Sequence, residues 1–197
     1  MTYTEILYYT TFTCVMICWF VFAAAFLLRK RPQSSGEKKR DNKAFAGIIL
    51  EATGYSTVWM LRRTHPLLIE SGGDILGTII SIIGILLAVL SVWIVISAVK
   101  TLGKQWAIAA RVVEDHQLVI DGPYSIVRNP IYSGMFGMLI ATGLAASKLY
   151  ALPIAIAVFW YGTHIRVKIE EKLLRETFGS KFEEYARRVP ALIPKLK

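Results

Sequence analysis

The sequence is poor in cysteine, and its longest apolar runs are nearly free of charge. The two cysteines, Cys14 and Cys18, lie one turn apart in the first apolar run. Adjacent turns of one helix are awkward for a disulfide, and two thiols alone make a poor metal site. Both read as small apolar-like fillers, and no metal site is expected. No basic residue precedes the first apolar run, whereas a cleaved signal peptide begins with a basic segment. The first run therefore reads as a retained signal-anchor helix.

What is present is apolar surface in blocks. Hydrophobic residues make up 54% of the 197-residue chain, against about 45–50% in soluble domains. Met1–Leu28, Ala44–Leu61, Ile75–Val99 and Ile131–Ile165 carry almost no charge. A bilayer core needs roughly 20 apolar residues per helix. The last block is too long for one span and divides at Ala146-Ser147-Lys148, giving about five spans in an all-α membrane protein. The chain reads as a single domain, with three spans in residues 1–99, a basic linker at 29–43, and residues 100–197 as the half that carries the chemistry.

The net charge of +9 would suggest nucleic acid in a soluble protein, but its placement argues otherwise. Seven Lys/Arg lie in Arg29–Lys43, four in Lys100–Arg128 and nine in Arg166–Lys197. The remaining three, Arg62, Arg63 and Lys148, lie in the alternate loops. This is the positive-inside pattern for a multi-pass protein with its N-terminus outside and its C-terminus cytoplasmic, which in a prokaryotic host, if that is the source, means the inner or plasma membrane. The basic charge then serves orientation and attraction to the anionic bilayer surface. No nucleic-acid partner is expected.

Several residues stand out within this frame. Glu51 falls inside the second span, where a carboxylate is costly; it reads either as a structural hydrogen-bonding group or as part of a substrate cavity. Small residues at Gly77, Ser81, Gly84 and Ala88, and at Ser133, Gly137, Ala141 and Ala145, permit close helix packing. Asn129-Pro130 reads as an N-cap followed by the first helical residue. The free N–H groups there suit an anion, with Arg128 beside them as a charged fork or as an interface anchor. Arg166 and Glu170 share a helix face, as an ordinary ion pair or as a polar cluster at the bundle mouth. Gly179 breaks that helix. Ser180 with Glu183 reads as a capping box for a last helix with Phe182, Tyr185, Ala186 and Val189 on one face.

The stretch from Gly122-Pro123-Tyr124 through Arg128-Asn129-Pro130-Ile131-Tyr132-Ser133-Gly134 resembles the signature of isoprenylcysteine carboxyl methyltransferases and their phospholipid methyltransferase relatives. Leu102-Gly103-Lys104-Gln105-Trp106 upstream fits as well. So do Arg166, Glu170-Glu171, Leu173-Leu174, Phe178-Gly179, Tyr185 and Val189-Pro190 downstream. The resemblance covers roughly the C-terminal half, and Asn129 stands where that family has His. It implies S-adenosylmethionine as cofactor, in a cytoplasmic pocket formed by the C-terminal half. The cofactor-binding residues would be Gln105, Val119, Gly122, Tyr124, Arg128, Asn129, Pro130, Tyr132 and Glu171. Arg166 and Glu170 would form the reaction centre, with Glu51 and Trp106 placed at the substrate cavity. The implied reaction is carboxyl O-methylation of a lipophilic small molecule or prenylated substrate. Alternatives are a steroid-reductase-like membrane oxidoreductase using NADPH, and a non-enzymatic scaffold or transport subunit.

The charge alternation generates a topology test. Cysteines introduced as Ser35→Cys and Ser180→Cys should react with an impermeant thiol reagent from the cytoplasmic side, and Ser71→Cys and Ser147→Cys from the opposite side. Labelling of positions 35 and 71 from one side would overturn the orientation.

Overall fold

The computed structural model describes residues 1–27, 37–40, 44–63, 73–103, 111–113 and 117–194. Five long helices account for most of them: α1 (Tyr3–Leu27), α2 (Ala44–Met60), α3 (Gly73–Leu102), α4 (Pro130–Ala146) and α5 (Ala151–Phe178). A 3-10 turn, Gly122–Ser125, precedes α4, and a short α6 (Ser180–Arg188) follows α5. The breaks between helices fall where the apolar blocks break. The last block divides as expected, α4 ending at Ala146 and α5 starting at Ala151.

Part of the basic linker takes up regular structure. Glu37–Arg40 forms strand β1, paired antiparallel with β2 (Arg111–Val113). Lys39 lies opposite Val112 and Arg40 opposite Arg111, with an irregularity between Glu37 and Lys39. The pairing joins the segments that follow α1 and α3.

α4 sits at the centre of the bundle. One face meets α1 and α3 in a core containing Phe22, Val92, Val95, Met138 and Ala141. Its other face meets α2 and α5 through Val58, Leu139, Ala155 and Phe159. Close approach of α3 and α4 depends on glycine. A Cβ on Gly134 would lie 2.6 Å from Val95 Cγ2 and 2.9 Å from the Ser91 carbonyl. Of the small-residue stripes, Ala88, Gly137, Ala141 and Ala145 are buried as expected. Ser133 is used differently: its hydroxyl donates to the Leu192 carbonyl at 2.6 Å.

Between helices, Trp19 Nε1 donates to Thr142 Oγ1 at 2.9 Å and the Tyr55 hydroxyl donates to the Met135 carbonyl at 2.7 Å. These bonds satisfy polar groups that would otherwise be stranded among apolar side chains. At the end of α4, Arg63 closes open carbonyls: its N–H reaches Ala146 O at 3.0 Å and its Nη2 reaches Ala145 O at 2.7 Å. A cation is favourable at this helix terminus.

α1 and α3 are long and apolar enough to cross a membrane, their most apolar 18-residue stretches having mean hydropathy 2.1 and 3.0. Their outer faces expose large apolar side chains, among them Ile17, Phe20, Ile82, Leu86 and Trp93. Ser147 is buried, so exposed Leu149 is the better labelling position in that loop.

The α3–α4 contact predicts a contrast between two glycines. Gly134→Ala should lower stability by about 1–3 kcal/mol through overpacking. Gly84→Ala, whose added Cβ would meet only ordinary contacts, the nearest at 3.7 Å from Leu144 Cβ, should be close to neutral. Thermal unfolding of both variants in detergent checks this, and equal effects would contradict the packing account.

Candidate functional site

Two charged clusters lie side by side where α2, α4 and α5 meet the C-terminal segment. The first is built on a close crossing of α2 and α5. A Cβ on Gly162 would lie 2.7 Å from the Gly47 carbonyl, and one on Gly47 would lie 2.8 Å from the Gly162 carbonyl and collide with the Arg166 side chain. One turn further along each helix come Glu51 and Arg166. The crossing brings them together: Arg166 Nη1 meets Glu51 Oε2 at 2.7 Å, and Thr163 Oγ1 donates to Glu51 Oε1 at 3.0 Å. Glu51 is 2% exposed and Arg166 7%.

Tyr132 and Glu170 complete this cluster. The Tyr132 hydroxyl donates to Glu170 Oε1 at 2.5 Å, and the Arg166 guanidinium carbon lies 4.8 Å from the Tyr132 ring centroid. Arg166 Nη2 is 3.8 Å from Glu170 Oε1. Glu170 was expected to be the group that holds Arg166, but Glu51 is the nearer partner. The reason is reach: the α2–α5 crossing delivers a carboxylate end-on, whereas the carboxylate on the same helix is drawn toward the Tyr132 hydroxyl.

The second cluster surrounds Arg128. Its Nε and Nη2 both lie 2.8 Å from Glu171 Oε1. Nη1 donates to the Ala186 carbonyl at 3.0 Å and also to the Val189 carbonyl. The backbone follows the same path, with Arg128 N–H bonded to Pro190 O at 2.8 Å and Asn129 N–H to Ala191 O at 3.0 Å. The chain after α6 is thus laid along the start of α4. Arg128 had been read as a fork open to an anion or as an interface anchor. It is already paired, and it docks the C-terminal segment.

Asn129 does not cap α4 with its side chain. Its Nδ2 donates to the Ala191 carbonyl at 3.1 Å and lies 3.4 Å from Glu171 Oε1. The docked segment engages the amide through its Nδ2 donor, and Oδ1 makes no capping bond. Pro130 is the first residue of α4, as read. The capping box at Ser180 also fails to form: Gly179, with φ +53°, takes the cap position, and Glu183 pairs with Arg175. α6 buries Phe182 and Tyr185, two residues of its expected apolar face.

Tyr124 is buried in the 3-10 turn, and its carbonyl accepts from the Tyr185 hydroxyl at 2.6 Å. Burial pushes the Tyr185 hydroxyl up to about 12, so it stays a neutral donor. Burial raises Tyr124 as well, with the charge of Glu170 adding to the effect. Gly122 adopts φ +57°, where glycine is favoured, and sits beside Thr101 of α3. Val119 is half-buried. Gln105 and Trp106 lie outside the described residues. Thr163, Gly47 and Gly162 were missed in the sequence. The available signal was a glycine one turn before an ionisable residue in each of two apolar helices.

A model of the phospholipid methyltransferase family matches residues 79–181. That range holds most of α3, all of α4 and α5, and every side chain of the two clusters except Glu51. Protein-S-isoprenylcysteine O-methyltransferase B of Arabidopsis thaliana is 35% identical over 101 residues, 50% of this chain and 51% of that protein. Protein-S-isoprenylcysteine O-methyltransferase of Saccharomyces cerevisiae is 34% identical over 116 residues, 58% of this chain and 48% of that protein. Cobalt-zinc-cadmium resistance protein CzcN of Cupriavidus metallidurans is 36% identical over 107 residues, 50% of this chain and 46% of that protein. The chain spans about half the length of the curated relatives it matches.

The second cluster predicts a docking defect. Arg128→Ala should strand Glu171 and release the carbonyls of Ala186 and Val189. Loss of one partner of a largely buried pair costs about 3 kcal/mol or more. Limited proteolysis should then cut after α6 in the variant at protease levels that spare the wild type. Equal resistance would remove Arg128 as the anchor.

Proposed function

The chain belongs to the phospholipid methyltransferase family, and from that premise we propose that it transfers a methyl group from S-adenosylmethionine to a lipophilic acceptor at a membrane face. The acceptor we propose is a carboxylate on an isoprenoid- or lipid-like molecule, a prenylated substrate included. The observation that carries this reading is the Glu51–Arg166–Glu170–Tyr132 cluster, in which Glu51, Arg166 and Tyr132 are buried and Glu170 is partly exposed. Charges in apolar surroundings are costly, and such residues mark functional sites by default. The names of the Arabidopsis and yeast relatives support the carboxyl acceptor.

We place five spans across the bilayer, with the N-terminus outside and the C-terminus cytoplasmic. The length of α1 and α3 supports this, as does the alternation of basic charge. α2 and α4, at 17 residues each, reach ~25 Å at the helical rise. In this orientation both clusters lie toward the cytoplasmic end, where a soluble cofactor and a membrane-borne acceptor can meet.

The residues present fit S-adenosylmethionine. Its methionine end carries one carboxylate and one ammonium. Arg128 and Glu171, now paired with each other, would supply one charge of each sign by exchanging part of that contact, beside first-turn N–H groups of α4 that no side chain caps. Tyr124, Tyr132, Val119 and Gly122, with Asn129 and Pro130, would form the walls around it together with Gln105, and Trp106 would line the acceptor cavity. When bound, the cofactor supplies an electrophilic methyl group on a sulfonium.

A carboxylate acceptor needs alignment and loss of water more than it needs a base. Arg166 is held on one side by Glu51 and faces the Tyr132 ring. Its contact with Glu170 at 3.8 Å is looser than its contact with Glu51 at 2.7 Å, and is the one an acceptor carboxylate would replace. Glu170 would stay in position through the Tyr132 hydroxyl. Arg166 and Glu170 are the proposed catalytic residues.

Titration of the purified protein with S-adenosylmethionine should raise its thermal stability by mass action. Stabilisation by NADPH instead would point to a reductase. With an S-farnesylated N-acetylcysteine as acceptor, Arg166→Lys should lose on the order of 100-fold in turnover, because Lys lacks the planar fork and misalignment is costly. Glu170→Gln should also slow transfer. Cofactor affinity should remain near that of the wild type in both variants. Normal transfer by both would leave Arg166 and Glu170 as structural residues.

A further inference from the structure

Glu51 is the one member of the reaction cluster that lies outside residues 79–181, the part of the chain matched by the family. Three features set it apart from an incidental buried acid. It is the nearer carboxylate to Arg166, at 2.7 Å against 3.8 Å for Glu170. Its second oxygen is tied at 3.0 Å to Thr163, so the carboxylate is fixed at both ends. The α2–α5 crossing that delivers it needs the missing side chains of Gly47 and Gly162, each standing four residues before Glu51 and Arg166 respectively, and is continued by Gly54 against Ala155 and Phe159. A buried ion pair seldom stabilises a fold better than apolar residues of the same size. Stability alone therefore does not account for the arrangement.

Resting on the methyl transfer proposed above, we infer that Glu51 is a positioning residue of the reaction centre: it fixes Arg166 across the Gly47–Gly162 crossing and adds negative charge to the site that receives a cationic methyl donor. The N-terminal half of the chain then does more than complete the bundle. α2 sets the direction of the guanidinium on α5. Among the described residues, Glu51 adds a second carboxylate to that of Glu170 beside the Arg166 guanidinium. That balance favours a sulfonium over the uncharged thioether left after transfer.

The experiment compares the full-length wild type, Glu51→Gln, Glu51→Asp and Gly47→Ala in lipid nanodiscs. Turnover is measured with S-adenosylmethionine and S-farnesylated N-acetylcysteine, and the affinities of S-adenosylmethionine and S-adenosylhomocysteine by calorimetry. Glu51→Gln should lower kcat on the order of 100-fold with little change in the KM of the acceptor, as expected of misalignment. It should also reduce the preference for the sulfonium over the thioether by about 3- to 10-fold, the size of effect given by loss of one nearby charge at an intermediate effective dielectric. Glu51→Asp, which keeps the charge, should restore that preference. Gly47→Ala should lower kcat by displacing α2 while leaving the preference unchanged.

Wild-type kinetics and an unchanged sulfonium preference in Glu51→Gln would overturn the role of Glu51. The calorimetric arm judges Glu51 even where Gly47→Ala does not fold. Failure of the wild type itself to bind S-adenosylmethionine would instead overturn the proposed reaction, and this inference with it.

Discussion

A guanidinium among packed helices has to be met by carboxylates within reach, and this requirement at Arg166 shapes the bundle around it. Glu51 comes from α2, Glu170 from the next turn of α5, and the Tyr132 ring from α4. To bring Glu51 close enough, α2 and α5 must cross at a separation that excludes side chains at Gly47 and Gly162. The position of α4 is tied to the same point through the Tyr132 hydroxyl. Three helices are thus located by one buried charge, and apolar packing fills the space that this geometry leaves.

Glu170 and Glu171 are consecutive on α5 yet serve different partners. Glu170 bonds to Tyr132, whereas Glu171 pairs with Arg128. The turn of α5 that helps form the Arg166 cluster therefore also holds the C-terminal segment, through Arg128, against the start of α4. Undocking that segment would remove the carbonyl acceptors of Ala186, Val189 and Ala191 and leave Arg128 and Asn129 with Glu171. On the proposed reading, the part of the pocket facing the methionine end of the cofactor and the part facing the acceptor share one rigid helical turn. A shift in either cluster is felt in the other through about one residue of helix, a rise of ~1.5 Å.

The helices were legible because length and apolarity act locally. Each block without charge became a helix, and the break at Ala146-Ser147-Lys148 fell where the turn is. Gly179 was legible for the same reason, since its left-handed backbone is a property of the residue itself. The errors arose where a distant segment overrode a local rule. Asn129 has the chemistry of a cap, but the Ala191 carbonyl, far along the chain, takes its side chain. Ser180 and Glu183 have the spacing of a capping box, but Arg175 claims Glu183. Arg128 is a different case: its charge was legible, but nothing local in the sequence marks Glu171 as its partner.

Glu51 shows why part of the candidate site stayed hidden. A lone carboxylate in an apolar run signals that a partner exists, but not which of the chain's cations it is. Arg166 is 115 residues away. The pairing becomes readable only when Gly47 and Gly162 are taken with the charges that follow them, because a glycine one turn before each ionisable residue marks where two backbones can touch. This information is relational, and no single window of sequence contains it. It also separates the parts of the molecule. The matched region supplies Arg166, Glu170 and Tyr132, and α2 supplies the contact that orients them. A reading confined to the matched region would place Arg166 against Glu170 and miss the nearer carboxylate that fixes its direction.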